Sequence, residues 1–109
     1  MVNEPKRFEI YLVSLDPTQG SKIKKTRPCL IISPNEINTN LRAVIIAPMT
    51  TTTKNYPTRV NTKLLGKTGQ IVLDQIRTVD KSRLLKVLGK LKETDSIKVS
   101  DILIEMFSI

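Results

Sequence analysis

The 109-residue chain carries 18 Lys and Arg against 10 Asp and Glu, a formal charge of +8 at neutral pH, with no histidine and one cysteine. Its length predicts a single domain, residues 1–109, that buries about 60–70% of its unfolded surface and so holds a proper core. Without histidine the chain lacks the usual general base, the commonest metal ligand and any Ser/His or Cys/His dyad, and a lone thiol builds neither an internal disulfide nor a cysteine zinc site.

In chain order, the β-branched run Phe8-Glu9-Ile10-Tyr11-Leu12-Val13-Ser14-Leu15 reads as a strand ended by Asp16-Pro17. A long basic loop follows from Thr18 to Thr26 with Gly20 at its tip, and Pro28 leads into a second strand, Cys29 to Ser33, which Pro34-Asn35 stops. In that apolar run Cys29 reads as a buried structural thiol. Arg42 to Ala47 is a third strand closed by Pro48, Thr50 to Asn55 a polar loop, and Thr58 to Asn61 a short fourth strand. Gly66 and Gly69 bracket a turn that feeds a fifth strand, Gln70 to Arg77; Asp80 caps one helical turn over Lys81 to Leu84; Leu85 to Leu91 is the last strand. Then the period changes. Val99, Ile102, Leu103, Met106 and Phe107 fall on one helix face, with Thr94 as N-cap and Asp95 in the first turn. Short strands joined by turns predict a mainly β (α+β) fold: a small SH3-like curved antiparallel sheet or barrel closed by a C-terminal helix.

The longest apolar run, Ala43 to Ala47, falls far below the ~18–20 residues that span a bilayer, so no membrane helix is expected. Met1 to Arg7 lacks a hydrophobic signal core, and the cytoplasm is the expected location. The excess charge makes a polyanion the first partner class, nucleic acid ahead of a membrane surface. Residues 1–67 hold eleven basic against four acidic side chains, a balance of +7, whereas the remainder holds seven against six. Contact with a polyanion is therefore expected from the first two thirds.

Three polar segments at strand ends carry residues that a core does not explain. In Gly20-Ser21-Lys22-Ile23-Lys24-Lys25-Thr26-Arg27-Pro28, cations beside a glycine tip suit phosphates, and a solvated loop is the plain alternative. The proline after Arg27 restrains its backbone to extended conformations and aims a planar fork from the mouth of a strand. In Pro48-Met49-Thr50-Thr51-Thr52-Thr53 the Thr50 hydroxyl either donates to a phosphate oxygen or caps a turn. In Leu73 to Leu84, a continuous strand would put Asp74 and Arg77 on opposite faces, and Arg77 with Asp80 reads as a structural ion pair.

Taken together, Asp16-Pro17-Thr18-Gln19-Gly20-Ser21, Arg27-Pro28, Ala47-Pro48-Met49-Thr50 and Asp74-Gln75-Ile76-Arg77-Thr78-Val79-Asp80-Lys81-Ser82-Arg83-Leu84 resemble, in order and spacing, the MazF/PemK family of toxin endoribonucleases. The resemblance runs from about Phe8 to Leu91. It implies a compact SH3-like barrel and a sequence-specific, metal-independent ribonuclease without cofactors. Such an enzyme cleaves single-stranded RNA (mRNA), works as a homodimer and is neutralised by an acidic antitoxin whose complex with the toxin binds operator DNA. It also implies that Arg27 and Thr50 form the catalytic pair and that Asp74 matches an acidic position that some members use in catalysis. Attack by the 2′-hydroxyl on the adjacent phosphorus would leave a cyclic phosphate and a 5′-hydroxyl. Ser21, Lys22, Lys24, Lys25, Gln75 and Arg77 would meet RNA. A guanidinium keeps its proton, so Arg27 is no base and another group has to be.

The chain also departs from the family. Ser21 stands where some members have histidine, Val72 where some have a second arginine, Lys22 where many are acidic, and Phe8 where glycine is common. Tyr56 is the one aromatic residue expected in a loop, which makes base stacking a minor theme. Two other functions fit a small basic barrel: a non-catalytic gyrase poison of the CcdB kind, and a plain nucleic-acid-binding module.

Overall fold

The computed structural model describes residues 4–15 and 25–109. Among these, seven strands pair antiparallel: β1 (Glu9–Ser14), β2 (Thr26–Ile31), β3 (Ala43–Thr50), β4 (Arg59–Leu64), β5 (Lys67–Val72), β6 (Arg77–Asp80) and β7 (Leu84–Lys90). A short helix, α1 (Asn35–Asn40), links β2 to β3, and α2 (Glu93–Phe107) follows β7. The strand order is β4-β5-β3-β2-β1-β7, with β6 also paired to β3. β3 is the hub: Ala43–Ile46 face β6, Met49 and Thr50 face β5, and the other edge takes β2. The result is a curled half-barrel with a C-terminal helix, as the sequence leads one to expect. No helix among the described residues is long and apolar enough to cross a membrane.

The central strands are buried on both faces. One core holds Ile10, Leu30, Ala47, Met49, Ile71 and Leu73 and is closed by Val99 of α2; the other, across the sheet, holds Tyr11, Val13, Cys29, Ile31, Ile46 and Val79. Burial on two sides explains why Cys29 to Ile32 and Val44 to Ala47 are unbroken apolar runs rather than alternating ones. Ile102, Leu103 and Met106 pack half-buried on the first core, so this face of α2 is spent on its own sheet. Asp95, 4% exposed, accepts from Thr62 Oγ1 at 2.8 Å and ties the first turn of α2 to β4. At the β2–α1–β3 corner, buried Asn38 donates to the Ser33 carbonyl (2.9 Å), while Ser33 Oγ donates to Asn38 Oδ1 and accepts from the Ile45 amide.

Several expectations need correction. β2 begins at Thr26 and runs through Pro28, ending at Ile31. β3 continues through Pro48 to Thr50, because the proline sits where β3 changes partner from β6 to β5. The expected fifth strand is two, β5 and β6, broken by a 3-10 turn over Leu73–Gln75. Thr94 lies inside α2, and Lys92 holds the cap position with no side-chain bond. Phe107, 68% exposed at the helix end, leaves the buried face. Helix α1 has no counterpart among the expected elements, since five of its six residues are polar and Ile37 alone makes no apolar period. Asp80 caps the 3-10 turn Lys81–Arg83 through the Ser82 amide, as expected. The Asp80 carboxyl is held below the usual range chiefly by that bond.

Phe8 adopts φ +71°, a backbone that suits glycine, and is pinned there by bonds from its N–H to the Ile31 carbonyl and from the Leu91 amide to its own carbonyl. The β4–β5 hairpin makes the same demand. Leu64 pairs with Lys67, so Leu65 and Gly66 form a two-residue loop with φ +52° and +80°, the signs of a type I′ turn. Leu65 is 75% exposed and gains little from burial. Leu65→Asn is expected to stabilise the fold by roughly 1 kcal/mol, since asparagine tolerates the left-handed region. Thermal unfolding should show a Tm about 4–8 °C higher; an unchanged Tm would locate the turn's stability elsewhere.

Candidate active site

Arg27 and Thr50 belong to adjacent strands at the same end of the sheet. The β2–β3 register pairs Cys29 with Pro48, and carried two residues further it sets Arg27 opposite Thr50. Side chains alternate along a strand, so Arg27 shares a face with Cys29 and Ile31, and Thr50 shares it with Ile46. Arg77 of β6 pairs with Ile46 and lies on that face beside Val79. Two exposed guanidiniums and a half-buried hydroxyl therefore border the second core. Cys29 registers both charges. Burial, the dominant influence, pushes its thiol up to about 12, against the lowering pull of Arg27 and then Arg77. It is an inert packing residue, as its sequence context suggested.

The Thr50 hydroxyl is oriented from the backbone that follows it. Thr50 Oγ1 accepts from the Thr52 N–H at 3.1 Å, which leaves the hydroxyl proton to donate to a phosphate oxygen. Below Thr50, β5 comes unusually close: a Cβ added at Gly69 would lie 2.6 Å from the Thr50 carbonyl oxygen. Beside Gly69, the buried Gln70 amide spans to the exposed loop, accepting from the Lys54 N–H and donating to the Lys54 carbonyl, both at 2.9 Å. Sequence reading missed Gln70. Its one signal is a polar residue at the head of the apolar run Ile71-Val72-Leu73, which says nothing about where the amide points.

Asp74 sits in the 3-10 turn between β5 and β6. Its Oδ1 accepts from Thr58 Oγ1 at 2.8 Å and from Arg59 Nε at 3.1 Å, the second being an ion pair. Desolvation, the largest single influence, pushes this carboxyl upward. It is outweighed by the bonds from Arg59, Thr58 and its own backbone and by the Arg59 charge, so Asp74 titrates below the ordinary aspartate value. Arg59 also lies over the Tyr56 ring, 5.2 Å from its centroid, within the ~6 Å reach of a cation–π contact. The turn breaks the strand between Asp74 and Arg77, so simple alternation no longer relates their faces. Gln75, exposed, ends this turn, and Lys25, exposed, precedes β2. Ser21, Lys22 and Lys24, with most of the basic loop, lie outside the described residues. The expected Arg77–Asp80 ion pair is not formed: three positions apart on a strand, the two side chains leave opposite faces, and Asp80 is taken by the Ser82 amide.

The same fold recurs in known proteins. The family model described as "PemK-like, MazF-like toxin of type II toxin-antitoxin system" matches residues 6–107. The chain is 36% identical to Endoribonuclease PemK of Escherichia coli over 98 residues, covering 84% of this chain and 74% of that protein. It is likewise 36% identical to Endoribonuclease MazF of Staphylococcus epidermidis over 104 residues, covering 90% and 87%. Among solved structures, an endoribonuclease in complex with its cognate antitoxin from Mycobacterial species superposes with a TM-score of 0.80 at 26% identity, over 99% of this chain and 97% of that one. A match along nearly the whole length, in both sequence and fold, places this chain in the PemK/MazF family of toxin endoribonucleases of type II toxin-antitoxin systems.

Proposed function

We propose that the chain cuts single-stranded RNA, mRNA included, at short sequences, by bringing one phosphate to the face shared by Arg27, Thr50 and Arg77. That shared face is the observation that carries the reading. The RNA supplies its own nucleophile: the 2′-oxygen bonds to the adjacent phosphorus, the bond to the 5′-oxygen breaks, and a 2′,3′-cyclic phosphate and a 5′-hydroxyl result. The 2′-hydroxyl gives its proton to Asp74 and the 5′-oxygen takes one from water, a balance that needs neither a metal nor a cofactor. Arg27 neutralises charge on the phosphorane oxygens and hydrogen-bonds the leaving oxygen, while Thr50 donates to a non-bridging oxygen. Asp74 takes the 2′-proton. Both of its side-chain partners bond Oδ1, which leaves Oδ2 to accept that proton. Ser21, Lys22, Lys24, Lys25, Gln75 and Arg77 hold the flanking nucleotides through phosphate and base-edge contacts.

The same cations are the target of an acidic antitoxin segment that orders on binding and blocks RNA, and the complex of the two would bind operator DNA. A homodimer completes the reading: Leu85 and Val87 on edge strand β7 and Ile97 on α2 are each more than half exposed, apolar surface that a second copy would cover. Purified protein in EDTA is expected to cleave single-stranded RNA and to leave cyclic phosphate and 5′-hydroxyl ends, read by sequencing the fragment termini. RNA of varied sequence left intact at micromolar protein and low salt would overturn the proposal.

A further inference from the structure

We infer that Gln70 is a positioning residue for RNA cleavage: its side-chain amide fixes the Thr51–Lys54 segment and, through it, the orientation of the Thr50 hydroxyl. The inference rests on the role given to Thr50 above. Thr50 ends a ladder of only two pairs, Met49 with Ile71 and Thr50 with Gln70, after which the chain leaves β5 as an exposed loop from Thr51 to Pro57. A polar loop of this kind has many conformations, and ordering each residue costs about 1–2 kcal/mol. Gln70 limits them from below. It is 4% exposed, yet its amide meets the Lys54 peptide with one bond accepted and one donated, the two-bond pattern by which residues pair across a sheet. The second Nε2 proton goes to Asn61 Oδ1 at 2.9 Å on β4, which sets the rotation of the amide.

The segment is thus pinned twice, by the ladder at Thr50 and by the side-chain rung at Lys54. Between the two pins the Thr52 N–H donates to Thr50 Oγ1 and decides where the hydroxyl proton points. Freeing Lys54 frees Thr52 and lets the hydroxyl rotate. Burying an amide is costly unless its polar atoms are bonded, and a methionine would fill the same space without that cost. All three side-chain bonds of Gln70 run to the loop that follows Thr50 and to β4 on the far side of β5.

The test is Gln70→Met, with Gln70→Asn as a shorter polar variant in case the first perturbs folding, each made alone and together with Thr50→Val. Amide exchange at Lys54 reads the rung directly, and cleavage of a labelled RNA oligonucleotide gives kcat and KM separately. The expected result is faster exchange at Lys54, a kcat lower by about tenfold with KM within about twofold, and little further loss when Gln70→Met is added to Thr50→Val. Equal fold losses with and without the Thr50 hydroxyl, or an unchanged kcat despite a released Lys54 amide, would overturn the inference while leaving Thr50 in its role. Cleavage by Thr50→Val at the wild-type rate would overturn the role of Thr50 and the inference together.

Discussion

Arg27→Ala is expected to lower RNA cleavage by about 10²–10³-fold, the cost of removing one preorganised charge from a site where negative charge develops. The loss should appear in kcat more than in KM, because the guanidinium meets more charge in the phosphorane than in the bound phosphodiester. Arg27 is exposed and makes no side-chain ion pair with an acidic residue among those described, so the fold should survive, with stability changed by within about 0.5 kcal/mol. Arg27→Lys separates charge from shape. An ammonium keeps the charge but cannot offer two parallel N–H groups to two phosphate oxygens, and it is expected to recover only part of the lost rate. Single-turnover cleavage beside circular dichroism of each variant checks both statements. Wild-type rates from the alanine variant would remove Arg27 from the chemistry, and with it the main reason for the face at which we place the phosphate.

Much of the fold was legible because its strands are written as β-branched apolar runs bounded by Pro, Gly and Asn. β1, the middle of β3 and β7 fell within a residue or two of their places. Illegible features were those set by tertiary pairing. Pro48 looked like a stop, but β3 exchanges partners there and continues to Thr50. Gln70 to Arg77 looked like one strand because nothing local marks Leu73–Gln75 as a turn; the kink comes from Leu73 dropping into the core while Asp74 turns toward Thr58 and Arg59. Helix α1 is held by the Ser33–Asn38 bonds rather than by an apolar face, so period alone gave no sign of it.

The candidate site was legible in its residue types and only partly in its geometry. Arg27 and Thr50 stand out as a strand-mouth arginine and a strand-end hydroxyl, and the β2–β3 register, continued two residues beyond Cys29–Pro48, sets them opposite each other, a relation that pairing decides and spacing does not. Arg77 reads in the sequence both as an ion-pair partner of Asp80 and as an RNA contact; the ion pair is not formed, and Arg77 lies on the face of Ile46 and Val79. Asp74 stands out through its match to an acidic position of the family, and its bond to Arg59, fifteen residues away in sequence, has no local signature. The positive φ of Phe8 explains why glycine suits that position, a demand that no local sequence pattern reveals.

Gly69→Ala tests how tightly the reacting strand end is held from beneath. The added Cβ would meet the Thr50 carbonyl oxygen at 2.6 Å and its carbon at 3.5 Å, backbone atoms that cannot swing aside as a flexible side chain would. Relief requires β5 and the end of β3 to separate by several tenths of an ångström or more, at the two-pair ladder between them. Overpacking of this sort costs about 1–3 kcal/mol, a drop in Tm on the order of 4–8 °C for each kcal/mol in a domain of this size. The effect on cleavage should be larger than the loss of folded protein, because a misplacement near 1 Å at a reacting group costs about 100-fold. Measured well below the new Tm, the variant is therefore expected to bind RNA through Arg27, Arg77 and the basic loop with nearly unchanged affinity and to cut it about 100-fold more slowly. Slow cutting matched by a proportional loss of folded chain would assign Gly69 to stability alone, whereas normal cutting would show that the close approach of β5 to Thr50 is not needed for the reaction.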